Sequence, residues 1–171
     1  MKTERLYYGD SFLREFEARV LSCEPSAGQF HVVLDRTAFY PTSGGQPNDL
    51  GRLGEAAVVD VAEREDGTIV HVTHRALETG PVRGMIDWER RFDHMQQHTG
   101  QHLLSAAFVE LFKMQTVSFH LGEESSTIDL AGAALAAGQA EAAERLTNQI
   151  IFEDRAVEVR YGTREELAAS G

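Results

Sequence analysis

His98 and His102 stand four residues apart in the run His98-Thr99-Gly100-Gln101-His102. On a helix that spacing stacks two imidazoles one turn apart on one face, where their ring nitrogens can converge on a single metal ion at about 2.0–2.1 Å. His94 extends the series by one more turn. Eight residues separate His94 from His102, about 12 Å along a helix axis, so one ion takes only adjacent neighbours. Spacing therefore leaves both pairs open, His94 with His98 and His98 with His102. The same pattern also serves plain polar positions on a half-buried helix. A zincin protease is disfavoured, because its motif puts Glu directly after the first His as general base, and here that position is Thr99. A tetrahedral zinc site needs further ligands, and Cys23, His31, His71, His74 and His120 are the remaining thiol and imidazole candidates.

Such a pair has to be carried by a long helix. Between Trp88 and Phe112 there is no Pro and only Gly100. Phe92, Met95, Leu103, Leu104, Ala107, Phe108, Leu111 and Phe112 recur on one helical face, and Asp87 is placed to cap it. Up to about residue 87 the chain reads as strands and turns. Phe30 to Leu34, Ala57 to Val61 and Thr68 to His74 are the strand candidates, and the last two, joined across Asp66-Gly67, predict a β-hairpin. Short strands with frequent Gly predict a small barrel or sandwich. Phe39 to Asp49 is too rich in Gly and Pro for a regular element. After the long helix, Val117 to Phe119 and Ser126 to Leu130 read as strands. Gln139 to Phe152 reads as a helix with Ala142, Leu146, Ile150 and Ile151 inward. Val157, Val159 and Tyr161 alternate as a further strand, and Thr163 with Glu166 has the form of a capping box that opens another helix.

Composition bounds what these elements can do. At 171 residues, 42% hydrophobic and 25% charged, the chain can build a core without covalent staples, and its single cysteine excludes an internal disulfide. A net charge of -11 excludes a protein that grips nucleic acid over its whole surface, so any such contact is local. Arg83, Arg90, Arg91 and Lys113, on or near the histidine helix, are the candidates for it. No run approaches the roughly 20 apolar residues of a membrane span, and the N-terminus lacks the apolar centre of a signal peptide; the expectation is a cytoplasmic protein.

Three segments occur in a telling order. Thr37-Ala38-Phe39-Tyr40-Pro41-Thr42-Ser43-Gly44-Gly45-Gln46-Pro47 comes first, then Arg91-Phe92-Asp93-His94-Met95-Gln96-Gln97-His98-Thr99-Gly100-Gln101-His102-Leu103-Leu104, then Thr116-Val117-Ser118-Phe119-His120-Leu121-Gly122. Together they resemble the alanyl-tRNA editing family, which joins the editing domain of alanyl-tRNA synthetase to the free-standing AlaX-type deacylases. The resemblance runs from near Met1 to the end of the chain and is closer to the free-standing forms. It implies an α+β fold, with residues 1–87 forming a glycine-rich β-barrel domain and 88–171 an α/β editing domain built on the long metal-ligand helix. It implies a hydrolase that removes wrongly attached Ser or Gly from tRNA for alanine, in trans, at the acceptor end. It settles the ligand pair as His98 and His102, with zinc as the cofactor. Thr116 matches the threonine that recognises the small polar side chain. Ser43, Gly44, Gly45 and Gln46 match the loop beside the editing pocket, a stretch that equally reads as a turn requiring positive φ.

One departure from the family stands out. There the metal site is completed by a Cys-x-x-x-His segment further along, whereas this sequence has no Cys after Cys23 and no His after His120. The expectation is a chain cut short of its second ligand pair, with weak metal binding and little deacylation; a second chain completing the site and a metal-free relative are the other readings. A fragment of an alanyl-tRNA synthetase, a non-catalytic tRNA-binding module of the same fold and a zinc hydrolase of small esters or amides stay open as alternatives.

Overall fold

The computed structural model describes residues 2–122, 125–132, 134–157 and 162–169. A short parallel pair, β1 (Glu4–Arg5) with β4 (Arg36–Thr37), lies beside a closed six-stranded barrel. The barrel strands are β2 (Glu15–Ser26), β3 (Gln29–Leu34), β5 (Gly51–Leu53), β6 (Ala56–Glu63), β7 (Ile69–Thr73) and β8 (Gly80–Ile86), in the order β2-β3-β7-β6-β5-β8. Every neighbouring pair is antiparallel, and β8 closes onto β2, which removes the exposed edges of an open sheet. Alternation drives the strands inward side by side: Phe16, Ala18 and Val20 of β2 are buried while Glu15, Glu17 and Arg19 face solvent. Val32, Leu34, Leu53, Val61 and Ile69 complete the interior, with Phe16 and Phe39 packed edge to face at 5.8 Å.

The hairpin across Asp66-Gly67 is present, β6 pairing β7 with a bulge between Val58 and Asp60. Three barrel strands have no counterpart among the strand candidates of the sequence: β2, β5 and β8. The first and last alternate apolar residues with charges or glycine, and β5 is three residues long.

Helix α1 (Trp88–Phe112) starts directly after the barrel, with the Asp87 carboxylate accepting the Arg90 backbone N–H at 3.3 Å. Trp88 braces the junction, stacked on Phe92 at 5.6 Å, beside Phe12 at 5.8 Å and under the Arg14 guanidinium at 4.2 Å. At the other end Ala107 and Phe108 join a second core with Ala143, Ile128, Leu130 and Leu146. These come from α2 (Gln139–Phe152) and from the antiparallel pair β9 (Thr116–Leu121) and β10 (Ser126–Leu130).

The inward faces differ in detail from the periodic reading. Phe92 and Leu111 stay exposed on α1: its N-terminal half buries Arg91 and His94, and its C-terminal half buries Ala107 and Phe108. On α2 the buried positions are Ala143 and Thr147, with Ala142, Leu146 and Ile150 flanking them and Ile151 outward. The small Ala143 fits against α1, and the Thr147 hydroxyl is satisfied by donating to the Ala143 carbonyl at 2.9 Å. Helix α3 (Arg164–Ala169) opens with the expected capping box: Thr163 N–H donates to the Glu166 carboxylate at 2.7 Å, and Glu166 N–H to the Thr163 hydroxyl at 3.3 Å. Of the strand expected at Val157, Val159 and Tyr161, the last two lie outside the described residues.

Candidate functional site

The site is assembled where the glycine-rich loop crosses α1. At the loop's neck, Asp49 N–H donates to the Tyr40 carbonyl at 3.0 Å and Tyr40 N–H donates to the Asp49 carboxylate at 2.6 Å. That carboxylate also pairs with Arg91, whose Nε lies 2.9 and 3.0 Å from its two oxygens. Arg91 further donates to the carbonyls of Ser11 at 3.0 Å and Ala38 at 2.5 Å, and lies over the Tyr40 ring at 4.4 Å. Both charges are fully buried, so Arg91 anchors the helix to the loop and is not available to a phosphate.

At the tip, Ser43 and Gln46 exchange backbone hydrogen bonds of 3.1 and 2.9 Å around Gly44 and Gly45, whose φ values of +57° and +83° form a primed two-residue turn. The tip is seated against β9. Leu121 N–H donates to the Gly45 carbonyl at 3.1 Å, and a Cβ on Gly45 would come within 2.4 Å of the Phe119 carbonyl oxygen. Positive φ and close approach thus demand glycine together at Gly45.

The seated turn delivers Gln46 to the histidines. His98 Nδ1 lies 2.6 Å from Gln46 Oε1, and His98 Nε2 lies 3.1 Å from His102 Nε2, with the rings stacked at 4.9 Å. Two nitrogens bound at 2.0–2.1 Å to one tetrahedral ion sit about 3.4 Å apart, so the pair fits two corners of such a site. Partial burial, and then the neighbouring His102, hold His98 below the usual imidazole pKa and favour the neutral ring a metal requires. His94 is not in this arrangement. It is buried on the helix, its Nδ1 has no hydrogen-bond partner among the described residues, and burial followed by the nearby Arg90 charge lowers its pKa.

The other candidate ligands lie elsewhere. His71 is enclosed in the barrel, hydrogen-bonded to the Thr37 hydroxyl at 2.8 Å and the Val32 carbonyl at 3.3 Å, and burial pushes its pKa down to about 4. His74 Nδ1 accepts the Ala57 backbone N–H at 2.8 Å, His31 is on β3, and Cys23 Sγ accepts the Leu77 N–H at 3.4 Å. His120 is exposed on β9 opposite Thr127. Among the described residues no third His, Cys, Asp or Glu joins His98 and His102.

Thr116, at the start of β9, donates its hydroxyl to Ser105 Oγ at 2.6 Å, and the Gln101 side-chain amide donates to the same oxygen at 2.8 Å. With Gly44, His98 and His102 these residues line a cavity of about 560 Å³. The structure thus brings together His98, His102, Thr116, Gly44 and Gln46, while Ser43 and Gly45 hold the turn that supports them. Ser105 was absent from the sequence reading. Its signal was helical spacing, since His98, His102 and Ser105 follow one another by four and three residues on one face.

Residues 11–90 match the family of class II tRNA synthetases (A). Along the chain, the "Alanyl-tRNA editing protein Aarsd1" of Mus musculus is 41% identical over 165 residues, which cover 88% of this chain and 40% of that protein. The "Alanyl-tRNA editing protein AlaX-M" of Methanosarcina mazei is 36% identical over 177 residues, covering 96% of this chain and 69% of that protein. The chain belongs to the alanyl-tRNA editing protein family. A further member, AlaX-L of Pyrococcus horikoshii, is 37% identical over 175 residues, and there the match covers 43% of the relative. The chain therefore spans about 40% of the length of its longer family members and two thirds of a shorter one. The match to the class II synthetase family reaches the glycine-rich loop but ends at Arg90, before the histidine pair, whereas the matches to the relatives, over 88–96% of the chain, include both the loop and His98 with His102.

Proposed function

We propose that this chain acts on mischarged tRNA for alanine and hydrolyses the ester that attaches a small polar amino acid, serine foremost, with the acceptor end as its tRNA contact and zinc at His98 and His102. The observation that carries the reading is the hydroxyl pair beside the histidines. Ser105 Oγ accepts two hydrogen bonds, from Thr116 and Gln101, which leaves its own hydrogen to donate outward. Thr116, having donated, keeps lone pairs to accept. A serine hydroxyl, both donor and acceptor, satisfies the two at once, whereas the methyl of a correctly attached alanine satisfies neither.

When bound, zinc supplies Lewis-acid polarisation of the ester carbonyl or of a water. The chain's own groups set the stage: Gln46 orients His98, Ser105 and Thr116 hold the side chain, and the seated turn closes one side of the cavity. Because the described residues fill two corners of a tetrahedral site, metal is expected to be held weakly and turnover to be slow. The names of the relatives support the substrate class, and the net charge of -11 limits any contact with tRNA to a small local area.

The test is discrimination. With zinc supplied, serine is expected to be released from seryl-tRNA for alanine faster than alanine from alanyl-tRNA. Thr116→Val is expected to reduce that preference about 10- to 100-fold, the cost of one unsatisfied polar group. Equal rates on both substrates in the native chain overturn the reading.

A further inference from the structure

Strand β9 carries hydrogen-bonding groups that β10 does not use. Gly122 N–H donates across the pair to the Ser125 carbonyl at 3.1 Å, whereas Leu121 N–H turns the other way and donates to Gly45. Antiparallel pairing alternates in this manner residue by residue, and the register from Leu121 back to Ser118 is unbroken. Ser118 and His120 therefore bond to β10, and Phe119 presents its N–H and carbonyl to the outer edge. The Val117 carbonyl points the same way, because a trans peptide sets it opposite the Ser118 N–H.

The loop tip fills one stretch of that edge. The Gly45 carbonyl takes the Leu121 N–H, and Gly45 lies so close to the Phe119 carbonyl that a Cβ on it would stand 2.4 Å from the oxygen. The next stretch, from the Val117 carbonyl to the Phe119 N–H, has no partner among the described residues. It borders the hydroxyl-lined cavity, with His98, His102 and Ser105 on the helix side.

We propose that this open stretch of β9 holds the aminoacyl group as a one-residue strand addition: the Val117 carbonyl accepts from the α-ammonium, and the Phe119 N–H donates to the ester carbonyl oxygen and to the oxyanion that forms from it. This rests on the reading of the site as an aminoacyl-ester hydrolase.

Spacing and charge both fit. The acceptor and the donor flank one residue of β9, as the ammonium and carbonyl of an amino acid flank its Cα, and this is how a strand engages a single residue of a parallel neighbour. Thr116 lies just beyond, so the substrate side chain meets its hydroxyl and that of Ser105. Among the described residues no carboxylate lines the cavity, so backbone carbonyls are what an ammonium finds there. In hydrolysis, water adds its oxygen to the ester carbon and the carbonyl π pair moves onto oxygen. When that pair returns, the C–O bond to the ribose breaks, and the ribose oxygen leaves with the proton the water has lost. A fixed N–H aimed at the carbonyl oxygen stabilises the charge as it forms. Phe119 is held for that role: Leu121 is tied to the turn, and the Phe119 ring lies 5.7 Å from His98. An acylated nitrogen is neutral and bulky, so N-blocked esters forfeit the ammonium contact.

The test removes the Phe119 N–H alone. Phenyllactate in place of Phe119 turns that peptide bond into an ester and keeps the ring. With zinc supplied, it is expected to lower kcat for serine release from seryl-tRNA for alanine about 100- to 1000-fold, with KM changed less than about tenfold. Phe119→Pro removes the same N–H at an edge where proline breaks no ladder bond, and is expected to fall at least about tenfold below Phe119→Ala, which keeps it. The native chain is expected to release N-acetyl-serine about 10- to 100-fold more slowly than serine. In nuclear magnetic resonance, L-serinamide is expected to shift the Phe119 amide signal, and N-acetyl-L-serinamide to bind at least about tenfold more weakly. Native rates in the phenyllactate and proline proteins, or N-acetyl-serine released as fast as serine, overturn the open-edge site and leave the hydrolase reading intact. If the native chain releases no serine, the hydrolase reading falls, and a Phe119 amide that serinamide does not move takes the open-edge site with it.

Discussion

Gln46 Oε1 and His98 Nδ1 lie 2.6 Å apart, so a loop residue contributed by the barrel decides how a helix residue presents itself. A carboxamide oxygen can only accept, which puts the hydrogen on Nδ1 and leaves the Nε2 lone pair facing His102. Outer partners of this kind typically account for 10- to 100-fold in metal affinity. Gln46→Ala is accordingly expected to weaken zinc about 10- to 100-fold in competition with a chromophoric chelator. Gln46→Glu, which keeps an acceptor in place, is expected to retain most of the affinity. Equal affinity for all three proteins would remove Gln46 from the site.

The two glycines of the turn are expected to behave differently. Gly44 has φ +57° with open space at its Cβ position, so Gly44→Ala costs about 1–2 kcal/mol of backbone strain and leaves the loop seated. Gly45→Ala adds a collision with the Phe119 carbonyl and must lift the tip from β9, carrying Gln46 away from His98. Zinc titration checks this: affinity should fall in Gly45→Ala and hold in Gly44→Ala.

Breaking the Asp49–Arg91 pair from one side strands a buried charge. Asp49→Ala and Arg91→Leu are each expected to cost about 3–5 kcal/mol in urea denaturation, and the double variant less than the sum of the two. A deficit under 1 kcal/mol in either single variant would contradict the anchoring role of Arg91.

His71 makes barrel stability depend on pH. Its folded pKa of about 4 lies below the unfolded value near 6.5, so the unfolded chain binds the extra proton first. The stabilisation is complete above pH 6.5 and is lost as pH falls through 4, amounting to on the order of 3 kcal/mol. Comparing urea midpoints at pH 7 and pH 4.5 should show a drop in the native chain that is smaller in His71→Gln. The same drop in both would assign it to other groups.

Much of this was legible in the residues. The helix from Trp88 to Phe112, its Asp87 cap and the Thr163–Glu166 box follow from local rules that hold wherever the segment is placed. The barrel was half legible, because β2 and β8 alternate apolar residues with charges or glycine, and only closure on one another shows which side is inside. Spacing alone gave a choice of histidine pairs. In the structure His98 and His102 face each other across one helical turn, whereas His94 is buried on the helix as Arg91 is. Gln46 was legible only as part of the loop; its contact with His98, 52 residues further on, and the part played by Ser105, which comes from Thr116 across the cavity, needed the tertiary structure.

The central claim is hydrolysis of a mischarged ester at a centre built on two histidines. Its most direct measurement is the rate of serine release from seryl-tRNA for alanine, as a function of added zinc, by the native chain, His98→Ala and His102→Ala. The expected result is a slow release that rises with zinc, vanishes with a chelator and falls at least 100-fold in both variants alike. Release at the native rate from either variant, or release indifferent to zinc, would contradict the account.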